Sequence, residues 1–389
     1  MSTLRVRAYN VRFGDAILVS VPDRDGDGRE TTRHILFDVG NVLSGAGGDD
    51  DVFEPVIRDV LATLDGRPLD LYVSTHEHLD HVQGLLFASE QLGLDLDVEH
   101  VWLPASAATD YYDRFPDARK RRLQLEETFD QIQRYLDAAE DEPSALVHSL
   151  RLNNDYRSTA RCVDFLRQLA DPTYVFRGAD LTGAHPFTEA RLSVWAPEED
   201  TSVYYGTFQP MALGVGPAAG PEAAVEAHGA ALIPPPGVDA GSFYHLVEAR
   251  RQSAVDNLLG IDKANNNSSV VVCLEWRGWR LLFPGDAEHR SWKEMDKRGL
   301  LGPVHFLKVA HHGSWNGTPP LTLLDKLLPL DPADDRPRRA LVSTCANTYH
   351  NVPDTMTVDE VGRRAEVVTV GHADGPAFVD LTFDAEGDG

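Results

Sequence analysis

The chain has 389 residues, 42% of them hydrophobic, so it is long enough for one large domain or two ordinary ones with a sizeable core. Its formal net charge of −25 argues against tight nonspecific binding of nucleic acid, because that binding depends on a basic surface. No apolar run has the length of a signal-peptide core or a membrane span, and the sequence therefore predicts a cytoplasmic protein.

Strands and helices alternate through the first part of the chain. Alternation of apolar and polar residues predicts strands, and apolar residues at helical spacing predict helices. The predicted strands cover 4–11, 16–21, 34–39, 69–73 and 98–103, and the predicted helices cover 52–64 and 82–92. The turn from Asp23 to Gly28 resembles the start of a calcium loop, but its twelfth position is His34 rather than glutamate. We therefore interpret it as a polar hairpin loop.

The strand at 69–73 is followed by three histidines and an aspartate within six positions, namely His76, His78, Asp80 and His81. This span is too short for a helix to present all four side chains inward, whereas a loop at the end of a strand can do so. Imidazole nitrogens and a carboxylate are ligands of zinc and similar cations. We predict that His76 and His78 share one metal ion and that Asp80 and His81 turn toward a second. A histidine-rich surface turn is the alternative.

Residues 105–255 are predicted to form a largely helical insertion. Helical periodicity covers 122–139, 158–169 and 242–259, with short strands predicted at 173–176 and 191–196. Residues 211–241 are rich in Gly, Ala and Pro, a composition typical of a loop or linker. The three cysteines, Cys162, Cys273 and Cys345, are far apart, and we expect free, buried thiols in a reducing compartment.

The last third of the chain contains further strands that end in polar residues. Strands are predicted at 268–275, 279–283, 304–310, 340–343 and 377–383, and helices at 288–297 and 356–363. Strands at both ends of the chain with helices between them suit two packed sheets with helices outside, each half of the chain giving one sheet. Asp286 follows the strand at 279–283, and His311 and His312 follow the strand at 304–310.

Adjacent residues of an extended segment cannot easily face the same ion. We therefore favour His312 as a metal ligand and His311 as a contact to phosphate or to the transition state, with the reverse order and a structural histidine pair as alternatives. Lys308, in the strand before them, is predicted either to meet developing negative charge or to be a surface residue on an edge strand. Asp38 is predicted to hold a metal-binding histidine, with a simple strand-end cap as the alternative.

The pattern His76-x-His78-x-Asp80-His81 after a hydrophobic strand resembles the signature of the metallo-β-lactamase superfamily. Further segments resemble the hydrolase domain of ComEC-type competence proteins: Asn10–Ala16, Asn265–Val270, Gly285–Ala287, Leu307–Ser314 and Asn347-x-Tyr349. The resemblance extends from residue 4 to about residue 383 but skips the insertion. It implies a single domain over 1–389 with a four-layer αββα sandwich, an α/β fold of the α+β kind.

The resemblance also implies a metal-dependent hydrolase with two divalent cations, zinc first and manganese as the alternative. In the family an aspartate such as Asp286 bridges the two ions, since each carboxylate oxygen can bind one cation. Asn266, Asn267, Ser268 and Ser314 would lie around the ligands or against the substrate. ComEC-type proteins join this domain to a membrane channel, which is absent here, and their domain is thought to act as a nuclease on the incoming strand.

One departure from the family concerns the first metal ion. Many members supply a third histidine to it, between the first cluster and the bridging aspartate. The corresponding stretch here is Asn265–Asn267, and His228 and His245 are the nearest candidates before Asp286. An amide oxygen is a harder and weaker ligand than imidazole. The first ion is therefore expected to be held more loosely, or to be manganese.

Three functions are compatible with these residues. Two cations would activate a water molecule and polarise a phosphoryl or carbonyl oxygen, with Asp80 orienting the water. The first hypothesis is hydrolysis of phosphodiesters, with nucleic acid as a substrate disfavoured by the net charge. The second is hydrolysis of a small ester, lactone or thioester, and the third is a non-catalytic binding or regulatory module. The sequence leaves the substrate and the oligomeric state open.

Overall fold

The computed structural model describes residues 2–41, 50–138, 144–206, 240–345, 352–372 and 374–385. The strands are β1 (Thr3–Tyr9), β2 (Ala16–Arg24), β3 (Glu30–Val39), β4 (Leu71–Val73), β5 (Val101–Pro104), β6 (Pro172–Val175), β7 (Ala190–Ala196), β8 (Val271–Trp276), β9 (Trp279–Phe283), β10 (Phe306–Lys308), β11 (Arg339–Ser343), β12 (Glu366–Val370) and β13 (Phe378–Asp384).

The α-helices of these described ranges are α1 (Phe53–Leu64), α2 (Leu79–Phe87), α3 (Tyr111–Arg114), α4 (Pro116–Asp137), α5 (Ala145–Asn153), α6 (Tyr156–Leu166), α7 (Ala240–Asn267), α8 (His289–Lys297), α9 (Leu321–Leu327) and α10 (Thr355–Gly362). A π-helical turn, Ala88–Leu92, continues α2, and short 3₁₀ turns cover Asp50–Val52, Ala105–Ala107, Thr201–Tyr204 and His311–Gly313.

The strands form two mixed sheets. The first has seven strands in the order β13-β1-β2-β3-β4-β5-β6, and the second has six in the order β12-β11-β10-β9-β8-β7. In both sheets one part is antiparallel and the other is parallel. The change occurs at β3, which pairs antiparallel with β2 and parallel with β4, and at β9, which pairs antiparallel with β8 and parallel with β10. The protein is therefore a mixed α/β fold built on two sheets.

Strand periodicity explains how the layers pack. Successive side chains of a strand point to opposite faces. In β3, Ile35 and Phe37 belong to a core that also contains Leu281 and Phe283 of β9, whereas Leu36 packs in a different core with α1 and α2. The rings of Phe37 and Phe283 stack with their centroids 4.4 Å apart. The first core thus lies between the two sheets, and the second lies between the first sheet and its helices.

The outer face of the second sheet is covered in the same way. Leu282 of β9 and Leu307 of β10 share a core with Trp292 of α8, Leu324 of α9 and Val361 of α10. Helices consequently pack on the outer faces of both sheets, in agreement with the expectation from the sequence.

The insertion contributes to both the helices and the sheets. Its helices α4, α5 and α7 pack through a core of their own, which includes Phe129, Leu150 and Leu258. Within the same range, β6 and β7 extend the first and the second sheet as edge strands. Residues 211–239 of the expected loop or linker lie outside the described residues.

Three expectations about individual elements were wrong. The last strand, β13, pairs with β1 of the first sheet, so the two halves of the chain do not each give one sheet. Asp80 and His81 lie in the first turn of α2 rather than in a loop, since this helix begins at Leu79. Helix α7 continues to Asn267 instead of ending near residue 259, because Ile261 and Ala264 remain buried against neighbouring elements.

One further expectation was confirmed. Cys162, Cys273 and Cys345 are free and buried. Within the described ranges, no helix combines the length and the apolar character that crossing a membrane requires.

Candidate metal centre

The carboxyl ends of parallel strands from both sheets meet at one edge of the fold. In the first sheet, β3 ends with Asp38 and Val39, and β4 leads into His76. In the second sheet, β9 leads into Asp286 and β10 leads into His312. Residues that are distant in the sequence are therefore brought together, which the hypothesis of a shared metal site requires.

Four buried side chains form the candidate ion position with the most possible ligands among the described residues. One ligand atom from each of Asp80, His81, Asp286 and His312 lies within 4.8 Å of the others. His312 Nε2 is 3.2 Å from Asp80 Oδ2 and 3.3 Å from Asp286 Oδ2, and His81 Nε2 is 3.4 Å from Asp286 Oδ2. We call this group the Asp286 position.

A second group of possible ligands shares Asp80. His76, His78 and Asp80 also offer ligand atoms within 4.8 Å of one another. His76 Nε2 and His78 Nδ1 are 3.0 Å apart, with both side chains buried. We call this group the His76 position, and it has only two imidazoles besides the shared carboxylate.

The backbone around Asp80 and His81 is held by two glycines. A Cβ on Gly40 would lie 2.2 Å from the backbone nitrogen of His81, and a Cβ on Gly14 would lie 2.7 Å from the carbonyl oxygen of Asp80. The amide of Asp15 donates to that same carbonyl at 3.0 Å. Only glycine permits this close approach of three backbone segments.

Hydrogen bonds orient the rings of His76 and His81. Asp38 Oδ2 lies 2.8 Å from His81 Nδ1, and it also accepts a hydrogen bond from the Thr75 hydroxyl at 2.7 Å. Because that hydroxyl donates to Asp38, it can accept from His76 Nδ1 at 3.1 Å. Both rings therefore direct Nε2 toward the candidate centre, which is how outer partners fix metal-binding histidines. The predicted role of Asp38 matches this geometry.

The other two rings have backbone or amide partners. His78 Nε2 is 2.9 Å from Asn154 Oδ1, which leaves Nδ1 facing His76. His312 Nδ1 is 2.8 Å from the carbonyl oxygen of Ser343, so Nε2 faces the carboxylates. His312 has a left-handed backbone (φ 54°), a strained state that is typical of functional sites.

The centre concentrates buried carboxylates, which favour positively charged neighbours. Asp15, Asp38, Asp80 and Asp286 are all buried, and Lys308 is the buried ammonium among them. Burial lowers the pKa of His81, but the carboxylates of Asp286, Asp80 and Asp38 outweigh it and hold that pKa well above its usual value. Burial also disfavours the charged form of His312, but the carboxylate of Asp286 favours it and raises the pKa of His312 to about 9.

Two buried polar atoms without a hydrogen-bond partner in the described ranges test whether these residues fit a cation. Asp80 Oδ1 and His81 Nε2 are buried and have no hydrogen-bond partner among the described residues. Burial lowers the pKa of His76 well below its usual value, helped by the neighbouring His81 and His78, so this ring is neutral and can bind a cation. Divalent cations would satisfy both atoms and compensate the carboxylates.

One of the two alternatives for Lys308 was wrong. It is fully buried on β10, which lies inside the second sheet, so the alternative of a surface residue on an edge strand was wrong. Its ammonium lies 2.5 Å from Asp15 Oδ2 and 3.2 Å from both Asp286 Oδ1 and the Gly285 carbonyl oxygen. An ammonium has three hydrogens, so these partners leave none for a substrate.

The two oxygens of Asp286 have different surroundings. Oδ1 accepts hydrogen bonds from Lys308 Nζ and from the amide of His311, both at 3.2 Å. Oδ2 faces His81 and His312. Oδ2 is thus the oxygen available to cations, whereas the family role was expected to use one oxygen for each ion.

His311 lies beside the centre, in a polar cluster that the sequence did not reveal. Its Nε2 is 3.4 Å from Asn266 Nδ2, and its Nδ1 is 3.6 Å from Glu288 Oε1. Asp262, one turn before Asn266, completes the cluster through Asn266 Nδ2 at 3.0 Å. Burial and the neighbouring Asp262 raise the pKa of Glu288 to about 8.

Three other predicted residues make structural hydrogen bonds. Asn267 Nδ2 donates to the carbonyl oxygen of Lys263 at 2.8 Å, and Ser268 Oγ donates to that of Asn265 at 2.6 Å. Ser314 Oγ accepts from the amide of Gly317 at 3.2 Å.

Several residues of the site were not predicted. Asp15 was not predicted as a site residue, although it lies in the segment Asn10–Ala16 that carries part of the resemblance, and Ser343 is one polar residue at the end of β11. Asn154 comes from the insertion and Asp262 from the part of α7 that follows it, and only their three-dimensional position connects them to His78. His245 belongs to α7, but its side chain lies outside the described part of the structure, as do His228, Asn347 and Tyr349.

The donor set fits divalent cations. Imidazole nitrogens and carboxylate oxygens bind zinc well, and a larger share of oxygen donors favours manganese. Buried histidine and aspartate groups could therefore hold a metal ion at this edge of the fold. In comparisons with known proteins, no family model matches the chain, and no curated protein is significantly similar to it.

Proposed function

We propose that the protein is a metal-dependent hydrolase that acts on phosphodiester bonds at this centre. The observation that carries the proposal is the buried group of Asp80, His81, Asp286 and His312, with His76 and His78 beside it. The proposal extends the resemblance to the metallo-β-lactamase superfamily, with its four-layer αββα sandwich and a ComEC-type hydrolase domain. The two packed sheets with outer helices are compatible with that fold.

The proposed chemistry depends on two divalent cations, with zinc as the favoured ion and manganese as the alternative. When bound, such ions lower the pKa of a water molecule toward neutrality and polarise the oxygen of a phosphoryl group. His76 and His78 would hold one ion, His81 and His312 the other, and Asp80 and Asp286 would contribute carboxylate oxygens.

The remaining residues position and neutralise charge. Asp80 Oδ1, which accepts no hydrogen bond from the described residues, can orient the attacking water. His311 is partly exposed beside the centre and can donate to a phosphoryl oxygen as negative charge develops. Lys308 acts through Asp286, since its hydrogens are already shared between Asp15, Asp286 and Gly285.

A substrate panel tests the proposal. The purified protein, loaded with zinc or manganese, is incubated with bis(p-nitrophenyl) phosphate, with single- and double-stranded nucleic acid, and with p-nitrophenyl acetate, a lactone and a thioester. We expect cleavage of a phosphodiester that requires metal and disappears in His312→Ala. Turnover of only the acyl substrates would replace the phosphodiester assignment by the second hypothesis. Absence of turnover together with absence of bound metal would favour a non-catalytic module.

A further inference from the structure

Two consecutive asparagines of the insertion contact the candidate metal centre. Asn153 is the last residue of α5 and Asn154 follows it, and both are buried. Asn153 Oδ1 accepts a hydrogen bond from the amide of Asp80 at 3.2 Å, and Asn154 Oδ1 lies 2.9 Å from Nε2 of His78. The insertion therefore contacts two possible ligands, one on each side of the residue at which α2 begins.

The amide of Asn154 has a fixed orientation. Its Nδ2 donates to the carbonyl oxygen of Leu150 and to Asp262 Oδ1, both at 3.0 Å, so both amide hydrogens are used. Its Oδ1 accepts a hydrogen bond from Asn265 Nδ2 at 3.0 Å. A rotated amide would direct its oxygen at the Leu150 carbonyl and the Asp262 carboxylate. Oδ1 is therefore the atom that faces His78.

This orientation determines which nitrogen of His78 can bind a cation. An amide oxygen only accepts hydrogen bonds, so Nε2 of His78 has to carry a hydrogen. A neutral imidazole has one such hydrogen, and Nδ1, which lies 3.0 Å from Nε2 of His76, keeps its electron pair. A partner of this kind fixes both the tautomer and the ring orientation of a metal-binding histidine.

The two histidines of the His76 position are thus held by different parts of the chain. The ring of His76 contacts the Thr75 hydroxyl at 3.1 Å, and that hydroxyl donates to Asp38 in β3 of the first sheet. The ring of His78 contacts Asn154, which follows α5, and α5 packs with α4 and α7 in the core of the insertion. A displacement of α5 would therefore remove a support of His78 and leave that of His76 in place.

We propose that Asn153 and Asn154 make the helical insertion part of the metal centre, so that docking of α5 and occupation of the His76 position stabilise each other. This inference rests on the function proposed above. Both asparagines are positioning residues, since they act through Asp80 and His78. The coupling is reciprocal, because the factor by which docked α5 raises the metal affinity is also the factor by which bound metal favours docking.

Metal binding by the full-length chain tests the inference without reference to activity. Equilibrium dialysis with metal analysis gives the number of zinc equivalents and their affinities. We expect Asn154→Ala to weaken one equivalent by about 10- to 100-fold and to leave the other unchanged. Asp155→Ala is the matched control, because it removes the neighbouring side chain, which caps α6 through the amide of Arg157. This control should keep both affinities.

Hydrogen exchange measures the other direction of the coupling. We expect saturating zinc to slow the exchange of the α5 amides by about 10- to 100-fold relative to those of α9, which packs on the outer face of the second sheet. In Asn154→Ala this relative slowing should be lost. If Asn154 only stabilised the insertion, exchange in α5 would be faster in the variant by the same factor with and without zinc.

The outcomes separate the inference from the proposed function. If the wild type binds two equivalents of zinc and a folded Asn154→Ala binds them with the same affinities, the inference is overturned and the hydrolase proposal stands. If the wild type binds no zinc or manganese, both fail. Should the alanine variant not fold, hydrogen exchange in the wild type decides, and equal effects of zinc on α5 and α9 overturn the inference.

Discussion

At the scale of single residues, Asp38 shows how the candidate centre depends on side chains that touch no ion. Its carboxylate joins the Thr75 hydroxyl and His81 Nδ1. We predict that Asp38→Ala lowers the affinity for zinc at the Asp286 position by about 10- to 100-fold, because His81 loses its fixed orientation. Equilibrium dialysis measures this change. Asp59→Ala, which removes a carboxylate paired with Arg7, is the control, and an unchanged affinity of Asp38→Ala would contradict the assigned role.

His34 provides a prediction on pH. It is 3% exposed, its Nδ1 is 3.1 Å from Ser20 Oγ, and burial lowers its pKa to about 4. Between that value and about 6.5, the unfolded chain binds a proton that the folded protein does not, so stability falls as the pH falls through this window. His34→Gln should reduce this loss by up to about 3 kcal/mol.

Urea unfolding of the wild type and of His34→Gln at several pH values measures the effect. His148→Gln, at an exposed histidine, controls for the loss of one imidazole. If all three proteins lose equal stability between pH 6.5 and 4, His34 does not contribute as predicted.

Lys308 illustrates what a sequence can and cannot reveal about one residue. Its type and its place before His311 predicted a contact to developing negative charge, whereas its ammonium lies 3.2 Å from Asp286 Oδ1. The sequence could not reveal that Asp15 and Gly285 occupy its remaining hydrogens, because those partners come from other parts of the chain. Burial and exact partners are properties of the tertiary structure.

At the scale of elements, the close packing of Gly40 against α2 leads to a third prediction. A Cβ at this position would lie 2.2 Å from the His81 amide nitrogen. Gly40→Ala should therefore displace the start of α2, destabilise the protein by about 1–3 kcal/mol or more, and weaken metal binding.

Thermal unfolding and metal analysis of the variant measure both effects. Gly26→Ala is the matched control, since a Cβ on Gly26 meets no atom within 4 Å. Equal melting temperatures and equal metal contents for the two variants would show that the close approach is unimportant.

The sequence predicted most elements, and the errors have identifiable causes. Strands such as β9 were predicted correctly because their apolar runs end at turns. The beginning of α2 was placed too late because Asp80 and His81 are polar, although both face the interior. The end of α7 was placed too early because the three asparagines near it have low helix propensity, which tertiary packing overrides.

At the scale of the whole molecule, the candidate centre joins the two sheets. Its buried carboxylates repel one another unless cations compensate them. Zinc or manganese should therefore raise the melting temperature as its concentration increases. At a hundred times the dissociation constant, the free energy of unfolding should increase by about 2.7 kcal/mol. A chelator should reverse the effect.

Differential scanning fluorimetry with added metal and with chelator measures this linkage. His312→Ala is the comparison, because it removes one imidazole from the Asp286 position and should respond less to zinc. A wild-type melting temperature that is independent of both metal and chelator would contradict the presence of a metal centre.

The pairing of Asp80 with His312 also has a consequence for biosynthesis. These residues are 232 positions apart in the chain. At about 5–20 residues per second, a ribosome needs roughly 10 to 50 s to add the second after the first. During that time the early histidines emerge without their later partners, so an ion at the Asp286 position would have to bind after translation has passed Ser343, whose carbonyl group orients the His312 ring.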